Sequence, residues 1–401
     1  MPSALTWLDH DSAERDRMNR VLALFQERST VDELGLGGVR DSIADLLFPG
    51  TSTIQTRLRY FLFVPWIYRH LEDRTTPTAH IAKRGRDIEL RMIGPLLESA
   101  DSREAGIFGR VAGGELKRLP SAVYWGGLGS WGIRLFSGSQ DQYHRSIDEI
   151  YRRRRLAAKH EDGESRERAL LTWHPALPPI PDGFPDAAEI AVTQEEAEFI
   201  LDRIRTAHGD TFLRVLADLP ALPDAAFPWH LADLPAATHA QRELLHHARM
   251  FSEVRQGAAI LYNLLLAEEA KIPELIETHR EGFRKWVDLE IDMDHVRGWD
   301  MTDFWQVTQH PSHHISPNAR TFFEKWVAEV RVDPHSISDR TTARELVRRR
   351  EMTLKGARSR FSNIRSREEK WGGYAGLDRI DYRWYQVQRL LADLHNGLAG
   401  A

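Results

Sequence analysis

The longest helical pattern in the chain opens at Thr238 and runs to about Ala270. Along it Leu244, Leu245, Ala248, Phe251, Val254, Ala258, Leu261, Leu265 and Leu266 recur at helical spacing, which predicts one buried face over the whole length. The same period appears elsewhere. Ser12 precedes Met18, Val21, Leu22 and Phe25 in a pattern that predicts a helix over 12–28. The stretch 39–48 (VRDSIADLLF) is a short helix stopped by Pro49-Gly50, and 87–99 is another amphipathic one. Thr51 to Thr53 precede the apolar run IQTRLRYFLFVPWIYRHLED, read as a helix kinked at Pro65. Tyr60, Phe61, Phe63, Trp66, Ile67 and Tyr68 predict burial nearly all round, while Arg57, Arg59 and Arg69 make it a core helix rather than a membrane span.

Capping signals punctuate the rest. Ser139 with Gln142 opens a helix ending in the four arginines 152–155, which suit the negative end of a helix dipole. Thr193 with Glu196 is a second capping box, and Ser316-Pro317 is an N-cap followed by a first-turn proline. The glycine-rich segment 106–136 is open to two readings, tight turns or one glycine-rich helix packed closely on a neighbour. Residues 159–168 are almost all charged, and five prolines follow between 175 and 185, a stretch that cannot hold a helix. The expectation is a mainly α, multi-helix, two-lobed chain with few short strands. Its parts are an N-terminal helical domain (1–158), a linker or strap (159–192) and a C-terminal helical domain (193–401) carrying a basic helix at 340–370.

Composition narrows the chemistry. Apolar residues make up 42% and charged residues 28% of the 401, ordinary globular usage that excludes wholesale disorder. With no Cys, disulfides, thiolate metal sites and a Cys nucleophile are excluded. The first residues lack a basic and then apolar leader pattern, and no long uncharged apolar stretch follows, so the expected location is the cytoplasm, away from membranes. The glycines at 126, 127, 129 and 132 match no phosphate-binding loop, and no G-x-S-x-G occurs. Glu115-Leu116-Lys117 and Glu269-Ala270-Lys271 imitate the Glu-x-Lys of restriction-type nucleases but sit in helical surroundings. Asp288, Glu290, Asp292, Asp294 and His295, followed by His310, His313 and His314, are the candidate metal cluster. The acids alternate, so on a helix they separate into two couples, and the plainer reading is a solvated loop and helix end. No cofactor is expected.

The strongest lead is charge clustering. Residues 340–370 hold eleven Lys or Arg and four Glu, a net +7 that leaves −12 for the rest of a chain whose total is −5. Read as one helix, Ala343, Val347, Leu354, Ala357, Phe361 and Ile364 form a seam interrupted by Arg350. Arg344, Arg348, Arg349, Lys355, Arg358 and Arg365 then offer cations to a phosphate backbone, joined by Arg152 and Arg153. Trp371, Tyr374, Tyr382, Trp384 and Tyr385, with Arg379 and Arg383 between them, either stack bases or belong to the core. The plainer reading of the whole region is a solvated face paired with the acidic remainder, or a docking surface for an acidic partner.

Four blocks carry a resemblance: 30–68 (TVDELGLGGVRDSIADLLFPGTSTIQTRLRYFLFVPWIY), VYWGGLGSWGIR (123–134), SQDQYHRSIDEIY (139–151) and RWYQVQRLLADLHNGL (383–398). Together they resemble an uncharacterised bacterial family of proteins of this length. The resemblance implies a setting in antiviral-defence or mobile-element loci, beside helicase and phospholipase-D-like genes, and imports no catalytic residues. The function expected is therefore that of a non-enzymatic accessory protein contacting DNA or RNA alongside a helicase or nuclease partner. The alternatives are a pure protein-interaction scaffold and a metal-dependent nuclease centred on 288–314.

Overall fold

The computed structural model describes residues 32–99, 106–157 and 171–400. In chain order the α-helices are α1 (Gly37–Leu47), α2 (Tyr60–Asp73), α3 (Thr78–Arg91), α4 (Ile93–Ser99), α5 (Pro120–Ser130), α6 (Gln140–Ala157), α7 (Gln194–Ala207), α8 (Phe212–Ala217), α9 (His239–Ala270), α10 (Pro273–Lys285), α11 (Met293–Gly298), α12 (Met301–Val307), α13 (Pro317–Val332), α14 (Thr341–Lys355), α15 (Ile364–Lys370) and α16 (Trp384–Ala399). The fold is mainly α. Among the described residues no strand joins a sheet, and the extended pairing present is an isolated bridge between Arg134 and Trp173. The helix expected over 12–28 lies outside the described residues.

Two compact units form, and each draws on separate stretches of sequence. One comprises Ala44–Arg242 with the residues from Asp381 onward; the other takes the described residues up to Ile43 with Glu243–Ile380. The cut therefore falls elsewhere than at 159–192. The described part of that stretch packs as a strap in the 44–242 unit, where Leu177, Ile190 and Val192 are buried and the Trp66 indole donates to the Pro178 carbonyl at 2.9 Å.

In the 44–242 unit α2 is the core helix, buried from Tyr60 to Tyr68. It begins at Tyr60 rather than near Ile54, because the preceding backbone is engaged elsewhere. The Thr56 and Arg57 amides donate to the Tyr124 hydroxyl at 2.8 and 3.1 Å, and the Leu58 amide donates to Asp393 at 2.8 Å. The glycine-rich segment resolves as helix α5. A Cβ on Gly127 would stand 2.3 Å from the Gly50 carbonyl oxygen, so close backbone approach is what the glycine provides. The Thr193–Glu196 capping box forms at the start of α7, and Glu196 also takes the buried Arg59 guanidinium at 2.7 Å. Glu72, near the end of α2, is the main polar hub of this unit. It accepts from Thr172 Oγ1 at 2.7 Å, Trp173 Nε1 at 3.1 Å, Arg154 Nη1 at 2.8 Å and the Tyr143 hydroxyl.

A second buried acid has a different balance. Glu89 of α3 accepts from the Ser121 amide at 2.8 Å and its hydroxyl at 2.6 Å, and the Arg86 charge is the weakest of the influences on it. Burial outweighs those hydrogen bonds and pushes its carboxyl up to about 7. The folded state then holds a proton that the unfolded chain releases. Its stabilising effect is complete below about pH 4.5 and is lost as pH rises through about 7. Glu89→Gln should remove that loss, raising stability at pH 8 by about 3 kcal/mol while changing little at pH 4. Urea midpoints at the two pH values check this, and a gain of equal size at both would refute it.

In the other unit α9 is the long central helix. A Cβ on Gly257 would meet the Trp286 ring at 2.4 Å, so that indole lies flat against the α9 backbone. Trp286 and Trp326 donate to the carbonyls of Glu253 and Val254 at 2.7 and 2.8 Å. Asn263 is fully satisfied inside: its amide donates to Ala259 and Ala375, and its oxygen accepts from Trp371 Nε1 and the Ala375 amide.

Candidate functional site

The segment 340–370 is not one helix. Helix α14 ends at Lys355, Gly356 takes φ +51° as a turn, and α15 starts only at Ile364. Glu351 explains the break: its carboxylate is wholly buried and accepts from the Ser359 hydroxyl and from the Arg360 amide at 2.9 Å, drawing the chain back on itself. The apolar seam accordingly stops. Ala343 and Val347 are buried, whereas Leu354, Ala357 and Ile364 are exposed.

The same break sorts the cations. Arg350, Arg360 and Arg367 turn inward. Arg350 donates to the carbonyls of Leu34 and Gly35 and stacks on Phe322 at 5.3 Å. Arg360 is held by Glu33, by the Tyr262 hydroxyl at 3.0 Å and by the Lys370 carbonyl. Of the expected contact residues, Arg344 pairs with Glu268, and Arg348 pairs with Glu269 and covers the Phe361 ring at 4.9 Å. Lys355 lies against Glu33; burial, then the Arg360 guanidinium, pushes its ammonium down to about 8, which leaves it charged at neutral pH. Those three are engaged within the unit. Arg349 and Arg365 are 80% and 84% exposed, their i,i+4 partners Glu345 and Glu369 standing at 3.3 and 3.7 Å, and Arg358 is exposed on the turn. Such exposed pairs contribute little and release their arginines readily.

Arg152 and Arg153 belong to the 44–242 unit. Arg152 forks onto Glu149 at 2.7 Å and Arg153 donates to it at 2.6 Å, and the Arg152 hydrogen bonds, then that of Arg153, lower that carboxyl to about 2. Their neighbour Arg154 serves the Glu72 hub. The C-terminal aromatics divide likewise. Trp371, Tyr382 and Trp384 are buried, while Tyr374 and Tyr385 are about half exposed, and Arg379 and Arg383 bind Glu253 and Asp45.

The acidic and histidine cluster does not converge. Asp292 caps α11 and pairs with His295 at 2.7 Å, Asp288 faces His335 at 3.7 Å, and His310 and His313 stack with ring centroids 5.5 Å apart. Among the described residues no three His, Asp or Glu side chains stand together as metal ligands.

What the sequence reading missed lies beside α14. Helices α13 and α14 run antiparallel, with Glu329 paired to Arg340 at 3.0 Å at one end and Phe322 under Arg350 farther along. Between them a groove of about 750 Å³ opens, bordered by Lys325 and Arg349 with Asn318, Thr321, Thr342 and Thr353 along its sides. The signal was present as a polar stripe at helical spacing on both helices. Read alone, that stripe is indistinguishable from any solvated helix face.

No helix among the described residues is long and apolar enough to cross a membrane. Neither a curated protein nor a solved structure matches the chain. The model of one family does, over residues 2–398, and the chain is therefore a member of the family of unknown function DUF6361.

Proposed function

We propose that this protein contacts the phosphate backbone of DNA or RNA through the α13–α14 groove and the exposed cations beyond it, without catalysing a reaction itself. The groove carries the reading: Lys325 and Arg349 stand among amide and hydroxyl side chains, the donor types that bind nucleic-acid backbones, and its two carboxylates, Glu329 and Glu345, are paired with Arg340 and Arg349. Arg358 and Arg365 extend the cationic line past the end of α14. An accessory role in a cytoplasmic defence or mobile-element system, beside a helicase or nuclease partner, belongs to the same proposal and is supported by the resemblance of the sequence blocks.

The structure changes which residues test it. Reversing Arg348 would take a counter-charge from Glu269, and reversing Lys355 would set a like charge against the buried Glu33, so a loss of binding there would report on folding. The informative variant is Arg349→Glu with Arg358→Glu and Arg365→Glu. Its thermal midpoint should match the parent, its affinity for a short oligonucleotide at low salt should fall by about 100-fold, and its log–log salt slope should shrink by about 3. Unchanged affinity in the folded triple variant overturns the proposal. The same cations also suit an acidic protein surface. A partner retained after nuclease treatment, and lost in the triple variant while oligonucleotides never bind, would make the chain a scaffold instead.

A further inference from the structure

The 44–242 unit holds a cavity of about 430 Å³ lined by His70, Leu71, Arg74, Arg84, Asp87, Ile88, Arg91, Phe184 and Pro185. Three arginines line it from two elements: Arg74 just past the end of α2, and Arg84 and Arg91 on one face of α3, seven residues apart and so nearly in line. Arg91 is held in place by Asp186 of the strap, with Nε–Oδ1 at 2.7 Å and Nη2–Oδ2 at 2.8 Å. The Arg74 and Arg84 guanidiniums make no hydrogen bond or ion pair among the described residues. Asp87 offsets part of this charge, and the wall opposite is apolar. There Phe184 rests on Phe63 and Trp66, with centroids at 6.0 and 5.8 Å. His70, beside Arg74, is lowered from its ordinary value by burial and then by that guanidinium, so it faces the cavity as a neutral imidazole.

We infer that this cavity binds a small phosphorylated ligand, with a diphosphate group between Arg74, Arg84 and Arg91 and the remainder against Leu71, Ile88 and Phe184. Guanidinium forks match phosphate oxygens in geometry and charge, and three of them suit the charge of a diphosphate. The volume lies within the range of small-molecule sites and exceeds what a lone phosphate would fill. The inference is independent of the α13–α14 groove, which lies in the other unit.

Titration calorimetry on the full chain, with inorganic diphosphate and with adenosine diphosphate, tests it. Saturable binding tighter than about 1 mM is expected for the diphosphate group. Arg74→Ala and Arg84→Ala, both at exposed positions, should each keep the parent thermal midpoint and weaken binding about tenfold. Tighter binding of the nucleotide than of inorganic diphosphate assigns the apolar wall to the nucleoside; equal affinities assign the site to the phosphate group alone. The Arg349, Arg358 and Arg365 triple variant should bind both ligands as the parent does. No saturable binding by either ligand, affinities unchanged in the folded Arg74→Ala Arg84→Ala double variant, or binding of oligonucleotides only, each overturns the inference.

Discussion

Glu72→Ala should lower the melting midpoint of the 44–242 unit by about 10 °C, from a loss of about 4 kcal/mol. The carboxylate is buried and serves four donors on two separate pieces of chain: the Arg154 guanidinium and Tyr143 hydroxyl of α6, and the Thr172 hydroxyl and Trp173 indole of the strap. Removing it breaks the Arg154 ion pair and leaves buried hydroxyl and indole donors short of an acceptor, which is the more expensive kind of deletion. The mechanism makes a further commitment. If the loss comes mainly from the broken ion pair, Glu72→Leu with Arg154→Met should recover a large part of it, because an apolar pair of similar bulk replaces a buried ion pair at little cost. Thermal melts of the parent, the single variants and the double settle the matter. A Glu72→Ala midpoint within about 2 °C of the parent would show that the hub is not a stabilising centre.

The hub also marks where sequence reasoning stops. Interactions spanning three or four residues were legible: Thr193 with Glu196, Ser139 with Gln142, and Ser316 before Pro317 all cap helices as their spacing predicts. The long α9 stripe was legible for the same reason, since a helix repeats its environment every turn. Arg154, by contrast, reads as one of four equivalent arginines at a helix end. Only the fold, by setting it against a carboxylate 82 residues earlier, separates it from Arg152 and Arg153. The end of α14 is an intermediate case. Gly356 was visible inside the basic segment, but a lone glycine within a helical pattern is often tolerated, and its meaning depends on Glu351 drawing in Ser359 and Arg360. The groove was the least legible feature. Its polar members are those any solvated face would show, Phe322, Ala328 and Leu346 read as ordinary helix residues, and its concavity comes from the pairing of α13 with α14.

Arg360→Met and Arg365→Met, equal steps in composition within one basic segment, should therefore have opposite consequences. Arg360 is nearly buried, and its guanidinium engages Glu33, 327 residues earlier, together with Tyr262 and the Lys370 carbonyl. Glu33 is itself buried and would keep Lys355 as its remaining cationic partner. The substitution should lower the stability of the 243–380 unit by about 3 kcal/mol or more. Binding of an oligonucleotide, measured well below the melting temperature, should stay near the parent value, because the Arg360 guanidinium is turned inward onto Glu33. Arg365 stands 84% exposed and pairs loosely with Glu369, so Arg365→Met should leave the melt unchanged and reduce the salt slope of oligonucleotide binding by about 1. Measuring both quantities on both variants separates charge that holds the unit together from charge that faces outward. If Arg360→Met weakens binding at unchanged stability, the inward arginines are contact residues after all and the division drawn from the fold fails. If both variants match the parent in both measurements, the clustering of eleven cations in this segment serves neither purpose.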